Sequence, residues 1–186
     1  MEAITEREFT ELVHYVKKNY GINLSQKKPL VVGRLQNYLI ENGFNSFSGY
    51  FHEVLTDPTG MTGITLVNKL TTNHTYFMRE PEHFIFFQKE VLPYLTKIQA
   101  VKKDLRIWSA GCSTGEEPYT LAFQIDDYFG SAKWQWDTKI LATDISTAAL
   151  EKAKEAVYAN GQLEMLPGYW KGRYFKKVDS EKSIVV

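Results

Sequence analysis

The stretch Ile107-Trp-Ser-Ala-Gly-Cys-Ser-Thr-Gly-Glu-Glu-Pro-Tyr119 decides the fold of this chain. A short β-type run over residues 105–108 gives way to small residues and two glycines, and an acidic pair with Pro118 then opens an apolar helix. This pattern predicts a strand, a tight turn and a helix that begins at the turn. The first N–H groups of a helix have no partner within it. We therefore expect the backbone of this turn to point into open space and to hold a ligand.

The segments on either side predict two domains. Residues 1–72 are expected to form an all-α helical domain, with helices over about 4–20, 28–42, 46–55 and 64–70. Residues 73–186 are expected to form an α/β domain, the first half of a Rossmann-like fold. Its predicted elements are a helix over 81–95, strands over 105–108 and 139–143, helices over 116–129 and 147–156, and a further strand over 183–186. The alternation of strands and helices predicts a parallel sheet covered by helices.

The composition limits the partners and the location. Lysine and arginine number 22, as do aspartate and glutamate, so no net charge directs the chain to nucleic acid or to an anionic membrane. The single cysteine, Cys112, excludes an internal disulfide and fits a reducing compartment. Neither a membrane-spanning apolar run nor a signal-peptide pattern occurs. We expect a cytoplasmic protein without membrane insertion, and we predict no metal site.

The glycine segment admits other interpretations. Gly111-Cys-Ser-Thr-Gly115 fits the G-x-S-x-G string of a serine hydrolase, but that mechanism needs a histidine after the serine, and all four histidines precede it. No lysine follows Gly115, so the segment is not a phosphate-binding P-loop. A plain strand-to-helix turn that requires small residues stays open as an explanation.

An acid at the end of the second predicted strand indicates a nucleoside ligand. Asp144 follows the run over residues 140–143, and ligands of open α/β sheets bind at the carboxyl ends of the strands. A carboxylate in this place can accept hydrogen bonds from both hydroxyls of a ribose. The alternative is that Asp144 caps the next helix, a task that Ser146 or Thr147 can perform equally well.

Together with Leu70-Thr-Thr-Asn-His-Thr-Tyr-Phe-Met-Arg-Glu80, these segments resemble the CheR family, the S-adenosylmethionine-dependent methyltransferases that esterify glutamates on bacterial chemotaxis receptors. The resemblance implies S-adenosylmethionine as the cofactor, S-adenosylhomocysteine as the product and the cytoplasmic domains of chemoreceptors as protein partners. It implies a catalytic role for Arg79 beside the reacting carboxylate. The cofactor-binding residues that it implies are Asn73, Thr75, Arg79, Gly111, Glu117 and Asp144.

Some of these residues also have a purely structural explanation. Glu116 and Glu117 stand in the first turn of a predicted helix, where the helix dipole stabilises acids by about 0.3–1 kcal/mol. Asn73 and Thr75 can act as a cap before the helix over 81–95, and Arg79 can be a surface charge. In the helical domain, the resemblance implies that basic residues such as Lys28 and Arg34 approach an acidic receptor, although charges on helices usually form only a solvated face.

The extent of the predicted sheet suggests an incomplete domain. Two or three parallel strands leave an open edge and uncovered apolar faces. We therefore expect a truncated methyltransferase that lacks the small β-subdomain of the family and is weakly active or inactive by itself. The alternative function is a non-catalytic module that binds the cofactor or a partner protein and completes its sheet as a homodimer.

Overall fold

A computed structural model describes residues 3–186 and shows two compact units. The first, here called the helical unit, contains the residues up to Thr72 and the short segment Ile145–Thr147. The second, here called the sheet unit, contains Asn73–Asp144 and Ala148–Val186.

Four α-helices with short connections build the helical unit. They are α1 (Glu6–Tyr20), α2 (Lys28–Glu41), α3 (Phe47–Thr56) and α4 (Met61–Leu70). Thr5 and Glu8 form a capping box at the start of α1, in which each side chain accepts from the backbone N–H of the other residue. Gly21 ends the same helix with φ of 73°, a left-handed conformation that glycine adopts without strain. The four predicted helices are confirmed, although α4 begins at Met61 instead of Ile64.

One apolar core holds the helical unit together. Residues from three of its helices are 0% exposed: Val16, Val31, Leu35, Leu39 and Leu66. Burying a side chain of this size contributes about 1.5–3 kcal/mol. Because the helices are short and marginal alone, this burial supplies most of their stability.

Arg34 donates hydrogen bonds within the helical unit. Its Nη1 donates to the carbonyl oxygen of Leu70 and its Nη2 donates to Thr72 Oγ1, each at 2.6 Å. The guanidinium thereby satisfies a carbonyl at the C-terminal end of α4, where the helix itself offers no donor. These bonds tie α2 to the end of α4, and the expectation that Arg34 approaches a partner stays a prediction.

The helical segment that opens the sheet unit contains a widened turn. It runs through α5 (Pro81–Phe86), a π-helical turn (Phe87–Val91) and α6 (Leu92–Ile98). The Leu92 N–H donates to the Phe87 carbonyl oxygen, which is the i to i−5 spacing of a π-helix. Pro93 lacks an N–H and crowds the preceding turn, so the wider turn lets the helix continue past it. The single helix predicted over 81–95 is therefore interrupted in the middle.

A parallel pair of strands forms the first sheet. β1 (Ile107–Ala110) and β2 (Ile140–Thr143) pair in register from Ile107 with Ile140 to Ala110 with Thr143. Helix α7 (Glu116–Phe129) follows β1 and passes into a 3-10 helix (Gly130–Gln135), and α8 (Thr147–Glu155) follows β2. The predicted bounds of α7 are confirmed at both ends. The strand predicted over 105–108 lies later, because Asp104 and Leu105 make only isolated contacts with Asp137.

The C-terminal residues form a second, antiparallel sheet. Its strands β3 (Val157–Ala159), β4 (Phe175–Lys177) and β5 (Lys182–Val185) lie in the order β3-β5-β4. A 3-10 helix (Asn160–Leu163) and α9 (Gly168–Tyr174) lie between β3 and β4. The expectation that residues 183–186 add a strand to the parallel sheet is wrong, because this segment is the central strand of the antiparallel sheet. The expectation that the small β-subdomain of the family is missing stays a prediction.

The two faces of the sheet unit differ in how well they are covered. An aromatic cluster packs α7 against α9, with the rings of Phe123 and Tyr174 stacked at 4.4 Å between centroids. On the parallel sheet, Trp108 and Leu141 are paired neighbours and remain 66% and 61% exposed. The expected uncovered apolar face is therefore present. Within residues 3–186, no helix combines the length and the apolar character needed to cross a membrane.

Candidate cofactor-binding site

The turn after β1 is anchored to the end of β2 through its own backbone. The N–H groups of Gly111 and Cys112 both donate to the carbonyl oxygen of Thr143, at 2.7 and 2.9 Å. The Ser113 N–H donates to Asp144 Oδ2 at 2.7 Å. The expectation that these backbone donors point into open space is therefore wrong. They hold the turn in place, and a ligand has to be recognised mainly by the groups around them.

The two glycines of the turn meet different surroundings. Both have positive φ, 95° at Gly111 and 99° at Gly115. A Cβ atom on Gly115 would lie 2.8 Å from Tyr158 Oη and 3.0 Å from Ala153 Cβ, so the packing also requires a glycine there. At Gly111 nothing lies within 4 Å of the position of a Cβ, and the residue is exposed. The turn therefore offers an open backbone surface at Gly111.

Asp144 lies on the same edge of the sheet as the turn after β1. The bond between the Ser113 N–H and Asp144 Oδ2 joins the ends of the two parallel strands directly. A carboxylate has about four acceptor sites, more than the bond from the Ser113 N–H occupies. The geometry matches the position at which open α/β sheets bind their ligands.

The two glutamates at the start of α7 point in different directions. Glu116 is 1% exposed, and its Oε2 accepts from Thr114 Oγ1 at 2.6 Å. Glu117 is exposed, and its Oε1 accepts from Ser109 Oγ at 2.7 Å. Since Ser109 belongs to β1, this bond holds the Glu117 carboxylate beside the strand. Of the two acids, Glu117 is the exposed one beside the strand, whereas Glu116 lines a cleft together with Asn73 and Thr75.

The pKa of the Cys112 thiol depends on the burial of the turn and on the charges near it. Burial raises its pKa, and the negative charges of Asp144 and Glu117 raise it further. Both carboxylates therefore lie near the same point of the turn, where their negative charges favour a cationic ligand. A thiol that stays protonated is also a poor nucleophile, so Cys112 fits a packing role better than a chemical one.

The segment that contains Asn73 and Thr75 is tied to the same turn. The Ser113 hydroxyl donates to the carbonyl oxygen of Asn73 at 3.0 Å. Asn73 and Thr75 also line a polar cleft of about 470 Å³ together with Thr114 and Glu116. The structure therefore brings Asn73, Thr75 and Asp144 to one turn, although they are widely separated along the chain.

Arg79 lies in a constrained turn of its own. Met78 and Glu80, on either side of it, have φ of 60° and 58°, a left-handed conformation that is uncommon for residues other than glycine. The exposed guanidinium donates from Nη1 to the carbonyl oxygen of His74 at 2.8 Å. Arg79 is thus placed next to the segment of Asn73 and Thr75.

The roles of two serines of the site were not predicted from the sequence. Ser113 was considered only as a hydrolase nucleophile, yet its hydroxyl donates to a backbone carbonyl and its N–H to Asp144. Ser109 was counted among the small residues after the predicted strand, although it lies in β1 and its hydroxyl donates to Glu117. A polar side chain within a strand of otherwise apolar residues is a detectable signal for Ser109. For Ser113 the sequence carries no comparable signal, because its role depends on two distant partners.

The arrangement of strand, anchored turn and helix, with an acid at the end of the adjacent parallel strand, defines a Rossmann-like domain of the class that binds nucleoside cofactors. Comparison with known families gives two matches that together cover most of the chain. Residues 7–71 match the family described as "CheR methyltransferase, all-alpha domain", and residues 73–186 match "CheR methyltransferase, SAM binding domain". The chain belongs to the CheR methyltransferase family.

Curated relatives carry matching names. The chemotaxis protein methyltransferase of Borreliella burgdorferi is 40% identical over 182 residues, which cover 96% of this chain and 64% of the relative. That of Escherichia coli is 32% identical over 177 residues, which cover 94% of this chain and 58% of the relative. Chemotaxis protein methyltransferase 2 of Pseudomonas aeruginosa is 36% identical, over 92% of this chain and 59% of the relative. The chain therefore spans 58% to 64% of the length of these three relatives.

The cofactor of residues 73–186 is S-adenosylmethionine. The chemistry of the residues at the sheet edge fits it. S-adenosylmethionine carries a sulfonium and an ammonium group, and the two carboxylates that act on Cys112, those of Glu117 and Asp144, supply the opposite charge. The open backbone face at Gly111 leaves room for a ligand to approach the turn closely.

Proposed function

We propose that this chain is the part of a protein-glutamate O-methyltransferase that binds S-adenosylmethionine and acts on the cytoplasmic domains of chemotaxis receptors. In this proposal residues 1–72 are the helical domain, residues 73–186 are the cofactor-binding domain, and the protein works in the cytoplasm. The names of the relatives support the link to chemotaxis and methyl transfer. The observation that carries the proposal is the bond between the Ser113 N–H and Asp144 Oδ2, which joins the two predicted halves of a nucleoside site.

The proposed cofactor contacts follow from the chemistry of each group. Asp144 accepts hydrogen bonds from the ribose hydroxyls, as acids at this position do in dinucleotide folds. Glu117 faces a cationic group of the cofactor, and Gly111 allows the turn to approach it closely. Asn73 and Thr75 contribute polar contacts from the segment that Ser113 holds against the turn.

The proposed reaction needs little acid–base chemistry from the chain. When bound, S-adenosylmethionine supplies a methyl group on a positively charged sulfur, and the carboxylate oxygen that accepts this methyl becomes part of an ester. A glutamate side chain has a reference pKa of about 4.3 and is therefore ionised at neutral pH without a general base. The contribution of the protein is then to fix the acceptor in line and to exclude water, because water stabilises the separated charges.

Arg79 is the proposed catalytic residue, and its task is to orient the acceptor carboxylate. A guanidinium carries five N–H donors in a fixed fork, so the single bond from Nη1 to His74 leaves it able to bind a carboxylate. The left-handed residues on either side limit how far this turn can move. Too strong an ion pair would stabilise the ground state, and an exposed arginine avoids that.

The test is a methyl-transfer assay with the 186-residue chain, a receptor cytoplasmic fragment and a cofactor labelled in its methyl group. A glutamate ester releases labelled methanol in mild base, whereas an N-methyl group does not. We expect slow transfer that leaves base-labile label on the receptor, and a further loss of at least tenfold in rate for Arg79→Lys. Arg106→Lys is the matched control, since Arg106 is an exposed arginine of the same unit that pairs with Asp104.

Two results would contradict the proposal. One is label that resists base, and the other is an Arg79→Lys variant that transfers methyl groups as fast as the Arg106→Lys control. A mass measurement on the same samples reports whether the active species is a monomer or a homodimer. Binding of S-adenosylhomocysteine without any transfer would favour the alternative function, a module that binds the cofactor without catalysis.

A further inference from the structure

Ser113 makes contacts to two segments that the proposed function assigns to the cofactor. Its backbone N–H donates to Asp144 Oδ2 at 2.7 Å, and its hydroxyl donates to the carbonyl oxygen of Asn73 at 3.0 Å. Asp144 follows β2, Asn73 precedes α5, and Ser113 itself follows β1. One residue thus joins three chain segments at the same edge of the sheet.

The conformation of Ser113 shows that the surroundings hold it in place. Its φ is 49°, in the left-handed region that residues other than glycine rarely occupy. Such conformations persist where the surrounding contacts over-determine them, and they concentrate at functional sites. Its exposed fraction is only 9%, so the hydroxyl needs a partner within the protein. The Asn73 carbonyl is that partner.

The burial of the Ser113 hydroxyl and the acceptor to which it donates argue against a catalytic role for this group. It donates its proton to a carbonyl oxygen, which cannot act as a base. The side chain therefore contributes geometry: it sets the distance between the Asn73 segment and the turn, while the backbone sets the position of the Asp144 carboxylate.

We propose that Ser113 is a positioning residue of the cofactor site, which holds the Asn73–Thr75 segment and the Asp144 carboxylate in the arrangement that binds the nucleoside. This inference rests on the proposed function. The hydroxyl controls the Asn73 side of the site, and the N–H controls the Asp144 side. Loss of the hydroxyl therefore weakens cofactor binding even when the fold is intact.

The substitution Ser113→Gly removes the hydroxyl and leaves the backbone of residue 113 in place. Glycine adopts a φ of 49° without strain and keeps the N–H, so the bond to Asp144 is retained and the fold is not weakened by the backbone. Ser183→Ala is the matched control, because Ser183 is 5% exposed in the same unit and its hydroxyl donates to Asn160 Oδ1 at 2.7 Å. Both substitutions remove one buried serine hydroxyl, but only one of them touches the proposed site.

The measurements are calorimetric titration with S-adenosylhomocysteine and urea unfolding of each variant. We expect Ser113→Gly to bind about 3- to 10-fold more weakly, as the loss of one hydrogen bond predicts, with little change in stability. We expect Ser183→Ala to lose stability and to keep its affinity. In a labelled chain, the carbonyl carbon resonance of Asn73 should move in Ser113→Gly and stay in place in Ser183→Ala.

The outcomes separate this inference from the proposed function. If the unaltered chain binds and Ser113→Gly binds equally well, the positioning role is overturned while the proposed function stands. The positioning role is also overturned if affinity falls only in proportion to stability in both variants. If the unaltered chain does not bind S-adenosylhomocysteine at millimolar concentration, the proposed function and this inference fail together.

Discussion

Among the described residues, the helical unit exposes four of its large apolar side chains, Ile40, Leu55, Met61 and Ile145, whereas the sheet unit exposes many more. Leu35 and Leu66 are 0% exposed, while Trp108 and Leu141 on the parallel sheet are 66% and 61% exposed. The helical unit also ends its helices with local caps, such as Thr5 with Glu8. The sheet unit instead depends on bonds between distant segments, such as that from Ser113 to Asp144. Stability is therefore concentrated in a buried core in the first unit, and the site arises from hydrogen bonds between distant segments in the second.

The largest effect should come from emptying the helical core. Leu35→Ala should lower the free energy of unfolding by about 2–5 kcal/mol, because it removes buried surface and leaves a cavity. Trp108→Ala removes a larger side chain but should cost less than about 1.5 kcal/mol, since most of that side chain already faces solvent and its Nε1 bond to Thr143 is exposed. Urea unfolding measures both. Equal losses of unfolding free energy in the two variants would contradict the difference in burial between the two units.

The turn of the sheet unit provides a second test. Gly115→Ala should destabilise the chain by about 2–4 kcal/mol, because its Cβ meets Tyr158 Oη and Ala153 Cβ and its φ is 99°. Gly111→Ala shares the positive φ but meets no atom within 4 Å, so it should cost only about 1–2 kcal/mol. Thermal and urea unfolding of the two variants give the difference. If both cost the same, the tight packing around Gly115 is not real.

The hydroxyl of Tyr174 links α9 to α7, and its removal tests this link. Tyr174 Oη donates to Asp127 Oδ1 at 2.8 Å and lies 3.0 Å from Asp126 Oδ2. Burial raises the pKa of this hydroxyl and both carboxylates raise it further, so it stays a donor at neutral pH. Tyr174→Phe should cost about 1.5–3 kcal/mol. The exposed Tyr94→Phe should change the unfolding free energy by less than about 0.5 kcal/mol.

The smallest effect concerns the pH dependence of a cap in the helical unit. Hydrogen bonds from the Thr59 hydroxyl and from the backbone N–H groups of Thr62 and Thr59 lower the pKa of Asp57. A carboxyl with a lowered folded pKa contributes stability above its unfolded pKa of about 3.9 and loses it as the pH falls through the folded pKa. The stability difference between the unaltered chain and Asp57→Asn should therefore shrink between pH 5 and pH 2 in thermal unfolding. Thr59→Val should reduce the same difference, and a difference that stays constant with pH would exclude this cap.

The sequence predicted those elements whose signals are local. Helix α7 was predicted at both ends, because Gly115 and the acids before Pro118 mark its start and Gly130 marks its end. Helices α1 and α3 were also predicted, and their caps Thr5 and Ser46 are signals that lie within a few adjacent residues. These features need no knowledge of the rest of the fold.

The errors concern features that depend on distant partners. The strand of residues 182–185 was assigned to the wrong sheet. The pairing of a short strand depends on the strands that lie beside it in the fold, and its own residues do not indicate them. The use of the turn's N–H groups was wrong, because Thr143 and Asp144 capture them. The hydrogen bonds of Arg34 were not predicted, because its acceptors at Leu70 and Thr72 lie far along the chain.

Calorimetric titration of S-adenosylhomocysteine into the chain and into Asp144→Asn tests the central claim most directly. Asparagine keeps an oxygen for the Ser113 N–H but loses the charge and one acceptor, so the account predicts binding at least tenfold weaker, about 1.4 kcal/mol. Asp104→Asn is the control, since Asp104 bonds Arg106 away from the turn, and its affinity should match that of the unaltered chain. Equal affinity of Asp144→Asn and the unaltered chain would contradict the claim that the turn after β1 and the acid after β2 bind one nucleoside.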